Sequence, residues 1–468
     1  MLKSQIYSNR RKALRELMGN GIVFFPGNVE APMNYPANTY HFRQDSNFLY
    51  FFGLNQADLA GIIDLDKGTD ILFGDEPSMD DIIWMGPQPS MKERASLVNV
   101  SDTRSLSQLA TYLSDAIHAG RKIHFVPPYR ADTAQWISIL LGIKPMFLKV
   151  YASLELMKAI VQLREIKKAE EIEEIEKMIS VASLMHTAAM RMAKPGVIER
   201  QIFGRMEGIA FEYANGTSFP TILSINGQTL HNHYHGNVLT EGRLIVSDAG
   251  CESEDGYCSD ITRSTPVGGK FNSRQKEIYE IVLNANLKVI ETAKPNVFYR
   301  DIHWEASRII AAGLRDLGLM KGDVDEAVVA GAHALFFPHG LGHQMGLDVH
   351  DLEGLGEDLV GYDEEISRST QFGLGSLRMA KRLRPGHVVT DEPGIYFIPA
   401  LIQQWKAQNK FDQFIDYQKV ESYLDFGGIR IEDDILITNN GCRVLGPGIP
   451  KTVKEVEEEA AKSIGDSK

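Results

Sequence analysis

Residues 427–434 read Gly427-Gly428-Ile429-Arg430-Ile431-Glu432-Asp433-Asp434, a strand-like segment with a charge at every second position from Arg430. Successive side chains on a strand point to opposite faces, so Ile429 and Ile431 face one way and Arg430 and Glu432 the other. A carboxylate on an apolar strand is costly unless a cation or hydrogen-bond donors meet it. Three further segments repeat the pattern: residues 244–250 with Asp248, residues 257–263 with Asp260 and Thr262 on one face, and residues 388–394 with Asp391 and Glu392. Any one of these acids alone reads most simply as an edge residue, a turn former or an arginine's partner. Four such segments together point to a site, because carboxylates gathered on adjacent strands with a histidine suit a hard-to-borderline divalent metal.

The histidines cluster in the same region. Nine of 13 lie from His231 onward, and six of those form two groups, His231/His233/His235 and His339/His343/His350. The glycines of His339-Gly340-Leu341-Gly342-His343 argue against a helical pair of zinc ligands. Cys251 and Cys258 adjoin two of the acids, but an oxygen-rich site does not favour thiolate.

Outward from this region, a long helix is expected where Ile172, Ile175, Ile179, Ala182, Met185, Ala189 and Met192 recur at helical spacing before Lys194-Pro195-Gly196. Its glutamates and lysines read as a solvated face. A domain boundary is placed just before it, giving domains 1–160 and 161–468. The first domain reads as alternating α and β: a helix near residues 9–18, strands at residues 22–25 and 48–52, and a hairpin turning at Asp66-Lys67-Gly68. It offers no cluster of catalytic residue types. After Pro450 a short acidic helix is expected, with Thr452 and Glu455 as a capping box. No internal repeat is evident by eye.

Apolar residues make up 43% of the 468, which excludes wholesale disorder, and the net charge of −13 argues against a nucleic-acid binder. Three cysteines cannot form a disulfide framework, and no run is apolar enough to span a bilayer or serve as a leader. A cytoplasmic protein with no membrane partner is expected.

Together, residues 248–252 (DAGCE), 256–263 (GYCSDITR), 336–351 (FFPHGLGHQMGLDVHD), 392–397 (EPGIYF) and 427–434 (GGIRIEDD) resemble the metal-dependent Xaa-Pro peptidases, the aminopeptidase P and prolidase group of the pita-bread fold. Residues 43–51 (RQDSNFLYF) extend the likeness into the N-terminal third. The resemblance implies an α/β N-terminal domain followed by an α+β pita-bread catalytic domain. It implies hydrolysis of the bond between an N-terminal residue and a following proline, and a homo-oligomer, dimer or tetramer. It also implies five metal ligands, Asp248, Asp260, His343, Glu392 and Glu432, holding two divalent ions. Manganese is the first choice for four carboxylates and one imidazole, with cobalt or zinc as alternatives. Glu392 doubles as general base for a water whose pKa the metals lower. His350 and His231 match histidines that contact substrate, Tyr396 and Arg430 match residues that order the site, and His339 matches a position near the proline pocket.

Two departures from the family pattern stand out. Asp248 and Asp260 are separated by one residue more than is usual, which a hairpin tip within residues 252–255 would absorb. The family's His-Tyr pair is replaced by His231-Asn232-His233-Tyr234-His235; counting back from Asp248 favours His231, whereas His233 precedes the tyrosine. Substrate length turns on Arg378, which matches a prolidase arginine that binds a dipeptide's carboxylate; the bland alternative makes it one surface base among Lys381, Arg382 and Arg384. Dipeptides are favoured. The competing class is a catalytically inactive pita-bread peptide-binding module, which would be expected to have lost ligands that are all present here.

Overall fold

The computed structural model describes residues 1–463; residues 464–468, the end of the expected second domain, lie outside the described residues. The chain divides into two units. One comprises Met1–Arg164 with Glu254–Gly256 and Leu352–Leu359, and the other is built on the rest of the chain from Glu165.

The first unit is built on a five-stranded sheet. The strand Ile22–Pro26 runs antiparallel to Ala60–Asp64 and parallel to Ile123–His124. Ala60–Asp64 forms the expected hairpin with Thr69–Phe73, and Asp102–Arg104 adds in parallel at the edge. Phe24, Ile62, Phe73, Leu113 and Ile137 fill its core. Residues 48–52 are not a strand: they lie in a helix, Ser46–Phe52. The Asp45 side chain accepts the N–H groups of Asn47 and Phe48 at one end, and Gly53 takes a left-handed φ of 59° at the other. A short apolar run buried all round has the same composition as strand or helix, and here the caps decide. The helix Met79–Met85 is held by a Ser78–Asp81 capping box, and none of its residues is buried.

In the second unit a pair of helices, Ala169–Met192 and Glu199–Tyr213, precedes an antiparallel sheet of Ile222–Ser224, Leu244–Ala249 and Ile261–Pro266. A second pair, Ser273–Thr292 and Tyr299–Asp316, precedes the strands Val388–Asp391, Asp433–Ile437 and Cys442–Val444 and the two-stranded sheet Gly394–Tyr396 with Gly428–Arg430. The expectation of no internal repeat is therefore corrected. Both helix pairs turn on the same connection, Lys194-Pro195-Gly196-Val197 and Lys294-Pro295-Asn296-Val297, with Gly196 at φ 87° and Asn296 at φ 70°. Glycine and asparagine are the residues that enter this left-handed region most readily, so two different letters serve one geometry.

The segment 427–434 is also not one strand. Gly428–Arg430 pairs with Gly394–Tyr396, whereas Asp433–Ile437 pairs with Val388–Asp391. Glu432 stands in the break, bridged to Thr262, and Glu392 stands in the corresponding break opposite. Each glutamate thus projects where its strand changes partner. The final helix, Val453–Ala460, carries the expected Thr452–Glu455 capping box. No helix among the described residues is long and apolar enough to cross a membrane.

Candidate metal centre

The sheet centred on Leu244–Ala249 places Asp248 opposite Thr262, and Asp260 immediately precedes the neighbouring strand. Gly250 lets the hairpin close, because a Cβ there would lie 1.7 Å from the Ser259 carbonyl oxygen. The Asp260 N–H donates to Asp434 Oδ2 (3.0 Å), which fixes the backbone from which the carboxylate projects. Gly342 plays the same part beside His343: a Cβ would lie 2.1 Å from the Thr390 carbonyl oxygen. The His343 N–H donates to Thr390 Oγ1 (3.1 Å) and the Thr390 N–H returns to the His343 carbonyl.

Ligand atoms of Asp260, His343 and Glu432, all buried, lie within 4.8 Å of one another. His343 Nδ1 donates to the Gln344 carbonyl (3.0 Å), which turns Nε2 toward Asp260 Oδ2 at 3.5 Å and Glu392 Oε1 at 3.7 Å. Asp248 and Asp260 each carry a buried Oδ1 with no hydrogen-bond partner. Buried carboxylate oxygens without donors are costly, and four carboxylates gathered around one imidazole nitrogen form a donor set that a divalent cation satisfies. The residues present therefore fit a metal.

Burial pushes Asp260, Glu392 and Glu432 above the usual carboxylate range. Asp248, Asp434 and Glu392 add to the rise at Asp260; Asp260, Glu392 and Asp248 add to it at Glu432. Among the charges acting on Glu392, His343, Arg430 and Arg378 oppose the rise. The buried Arg430 guanidinium is the counter-charge at the centre. Its Nη2 donates to Asp248 Oδ2 (2.6 Å), Nε to Thr262 Oγ1 (3.0 Å) and Nη1 to Tyr396 Oη (2.8 Å). Thr262 Oγ1 in turn donates to Glu432 Oε2 (2.6 Å).

His339 donates from Nδ1 to the Gly340 carbonyl (2.8 Å) and accepts at Nε2 from the Tyr396 hydroxyl (2.9 Å). Burial holds its pKa at about 3, so it is neutral. The half-buried His350 ring meets His343 edge-on at 4.3 Å between centroids. His231 is solvent-accessible, yet partial burial lowers its pKa, with Asp248 acting against that and Arg430, His350 and Arg378 reinforcing it. His233 is exposed. His235 is turned aside, stacked on Phe203 at 4.3 Å and bonded through Nδ1 to the Leu223 carbonyl (3.0 Å). Cys251 and Cys258 are buried, and neither forms a disulfide. Cys251 faces the Met178 carbonyl at 3.2 Å and Cys258 the Leu347 carbonyl at 3.7 Å.

Sequence reasoning assigned no role to Thr262, Thr390 or Asp434. Thr262 alternates with Asp260 and carried the same face signal. Thr390 and Asp434 act through partners distant in sequence and left no local signal.

A stability prediction follows from the raised carboxylates. In metal-free protein the folded state holds these protons more tightly than the unfolded chain. The associated stability is fully present below the ordinary carboxylate pKa and is lost as pH rises through the raised values. A divalent ion replaces the protons. Between two pH values above the ordinary carboxylate range of about 4, chelator-treated protein should therefore melt at lower temperature at the higher one. Manganese at a hundred times Kd should add about 2.7 kcal/mol, and at a fixed manganese concentration the gain should be larger at the higher pH. Thermal unfolding by circular dichroism reads both, and equal gains at the two pH values would reject the argument.

Residues 173–439 match the model of metallopeptidase family M24, and residues 7–136 match the aminopeptidase P N-terminal domain. The chain is 31% identical to human Xaa-Pro dipeptidase, over 96% of this chain and 92% of that protein. It is 30% identical to a probable Xaa-Pro aminopeptidase of Metarhizium robertsii, over 95% and 93%. Zinc-substituted Escherichia coli aminopeptidase P in complex with product superposes with a TM-score of 0.80 at 28% identity, covering 98% of each chain.

Proposed function

The chain belongs to metallopeptidase family M24, and we propose that it is a dinuclear Xaa-Pro peptidase, cleaving the bond between an N-terminal residue and a following proline. The observation that carries this reading is the meeting of Asp260, His343 and Glu432 within 4.8 Å, with Asp248 and Glu392 alongside. Asp248, Asp260, His343, Glu392 and Glu432 would hold two divalent ions, manganese by preference. When bound, the ions lower the pKa of a water and polarise the scissile carbonyl.

The chain's own residues do the rest. Glu392 takes the proton of the attacking water, a task suited to a carboxylate whose pKa burial has raised. His350 and His231 donate to the oxygen on which charge develops. His339 is neutral and backed by the buried Phe337 ring, with 4.9 Å between the two ring centroids, so the imidazole offers an uncharged wall for the proline ring. Arg430 and Tyr396 hold Asp248 and His339 in place.

We favour dipeptide substrates. Lys381 and Arg384 both pair with Glu165, and Arg382 pairs with Glu365 and lies over the Phe298 ring. Arg378, half-buried, lends its charge to Glu392, His231 and His339. A guanidinium there would take a dipeptide's carboxylate, which a longer peptide lacks at that position. That the three cysteines are thiols joined by no disulfide supports a cytoplasmic setting, and the exposed N-terminal-unit helix Met79–Met85 offers a surface for a dimer or tetramer.

The test is hydrolysis of Ala-Pro against Ala-Pro-Ala after chelation and addition of manganese. A preference for Ala-Pro is expected, and cleavage of neither would overturn the reading. Arg378→Ala should lower kcat/KM for Ala-Pro by about 10- to 100-fold, as loss of a charge-assisted contact of about 1.5–3 kcal/mol requires, and leave Ala-Pro-Ala within about threefold. Equal losses would remove Arg378 from the carboxylate role.

A further inference from the structure

His343 and His350 sit on one stretch without regular secondary structure, and a ligand that must stay within a fraction of an ångström needs something to hold it. Several bonds converge on Asp351. Its N–H donates to the Gln344 carbonyl (2.8 Å), the same oxygen that accepts His343 Nδ1–H. Its Oδ1 accepts the Asp348 N–H (3.2 Å), closing the turn that presents His350. Its Oδ2 accepts Lys167 Nζ at 2.8 Å, with both side chains 1% exposed. Lys167 is itself anchored, its N–H donating to the Gly386 carbonyl (2.9 Å). Gly346 leaves room for the pair: a Cβ there would lie 2.7 Å from Asp351 Oδ2 and 2.8 Å from Lys167 Cε. The Gly346 carbonyl accepts the Cys258 N–H (2.8 Å), tying the loop to the segment that carries Asp260.

We propose that the buried Lys167–Asp351 ion pair is a positioning clamp that sets the 343–351 loop, orienting His343 toward the metal and His350 toward substrate. Neither residue touches the reacting atoms. The inference rests on the peptidase reading for His350, but its metal arm does not.

Lys167→Met alone strands a buried carboxylate and is expected to destabilise the protein, which any structural ion pair would do. The informative variant is Lys167→Met combined with Asp351→Asn, which removes both charges and keeps an acceptor for the Asp348 N–H. Its Tm should recover most of the loss of the single variant. Its manganese affinity by calorimetry should still be about 10-fold weaker, and kcat on Ala-Pro at saturating manganese should stay about 10- to 100-fold down with KM within about twofold. Gly346→Ala, which pushes the pair apart without removing a charge, should reproduce both losses and covers the case in which the double variant does not fold. Wild-type affinity and kcat in either folded variant would overturn the proposal. If the wild-type protein cleaves no Xaa-Pro peptide, the functional reading falls, and the calorimetry still decides the clamp.

Discussion

Glu392→Gln should lose at least about 10³-fold in kcat, within the range a general base contributes, while the metal-free variant melts at or above the wild-type temperature. The two effects have one origin. Glu392 stands in the strand break before Gly394–Tyr396, where burial and Asp248 push its pKa up against the pull of His343 and Arg430. In metal-free protein its charge is a liability, and an isosteric amide removes the repulsion without changing shape. In the proposed mechanism that same charge would hold an ion and receive the water's proton, and an amide would do neither task well. Kinetics at saturating manganese and a melt in chelator measure the two arms separately. Wild-type-like turnover would remove Glu392 from the mechanism, and a lower metal-free Tm would show that its charge stabilises the empty site.

Arg430→Ala should be the most disruptive single change at the centre, costing about 3–5 kcal/mol of stability, the range for breaking a buried ion pair, and about 10²-fold or more in kcat. The guanidinium donates to Asp248, Thr262 and Tyr396 at once, and through Thr262 it orients Glu432. Its removal leaves Asp248 without its cation and frees the tyrosine that donates to His339. Arg430→Lys separates charge from geometry. A lysine keeps the positive charge but cannot present a planar fork to three acceptors. Its Tm should fall less than that of the alanine variant, with kcat still down about 10-fold or more. Denaturant melts and steady-state kinetics on Ala-Pro decide the matter, and full activity in the lysine variant would mean that only charge is required.

Much of the site was legible because strand alternation and an unusual density of acids are local signals. Asp248, Asp260, Glu392 and Glu432 all stand out on segments whose apolar neighbours demand burial, and the structure brings these segments together. Less legible was anything settled by partners distant in sequence. Residues 48–52 read as a strand because composition says only that they are buried; the Asp45 cap and the left-handed Gly53 make the helix. Residues 427–434 read as one strand because nothing in the alternation marks where pairing passes from Gly394–Tyr396 to Val388–Asp391. The repeat hid behind the exchange of Gly196 for Asn296, equivalent in backbone conformation and different in spelling. Thr390 and Asp434 could not be assigned because each bonds to the backbone of a candidate ligand, His343 or Asp260, that lies far away in the chain.

The exposed helix Met79–Met85 has an optical consequence. Of four tryptophans, Trp84 is 83% exposed and Trp405 is 4% exposed, while Trp136 and Trp304 lie between. The long-wavelength edge of the emission spectrum therefore belongs mainly to Trp84. Acrylamide should quench that edge first, and iodide less effectively, because Asp80 and Asp81 repel an anion from the indole. With no label attached, a blue shift and slower quenching as the protein is concentrated would give a direct reading of this helix becoming covered.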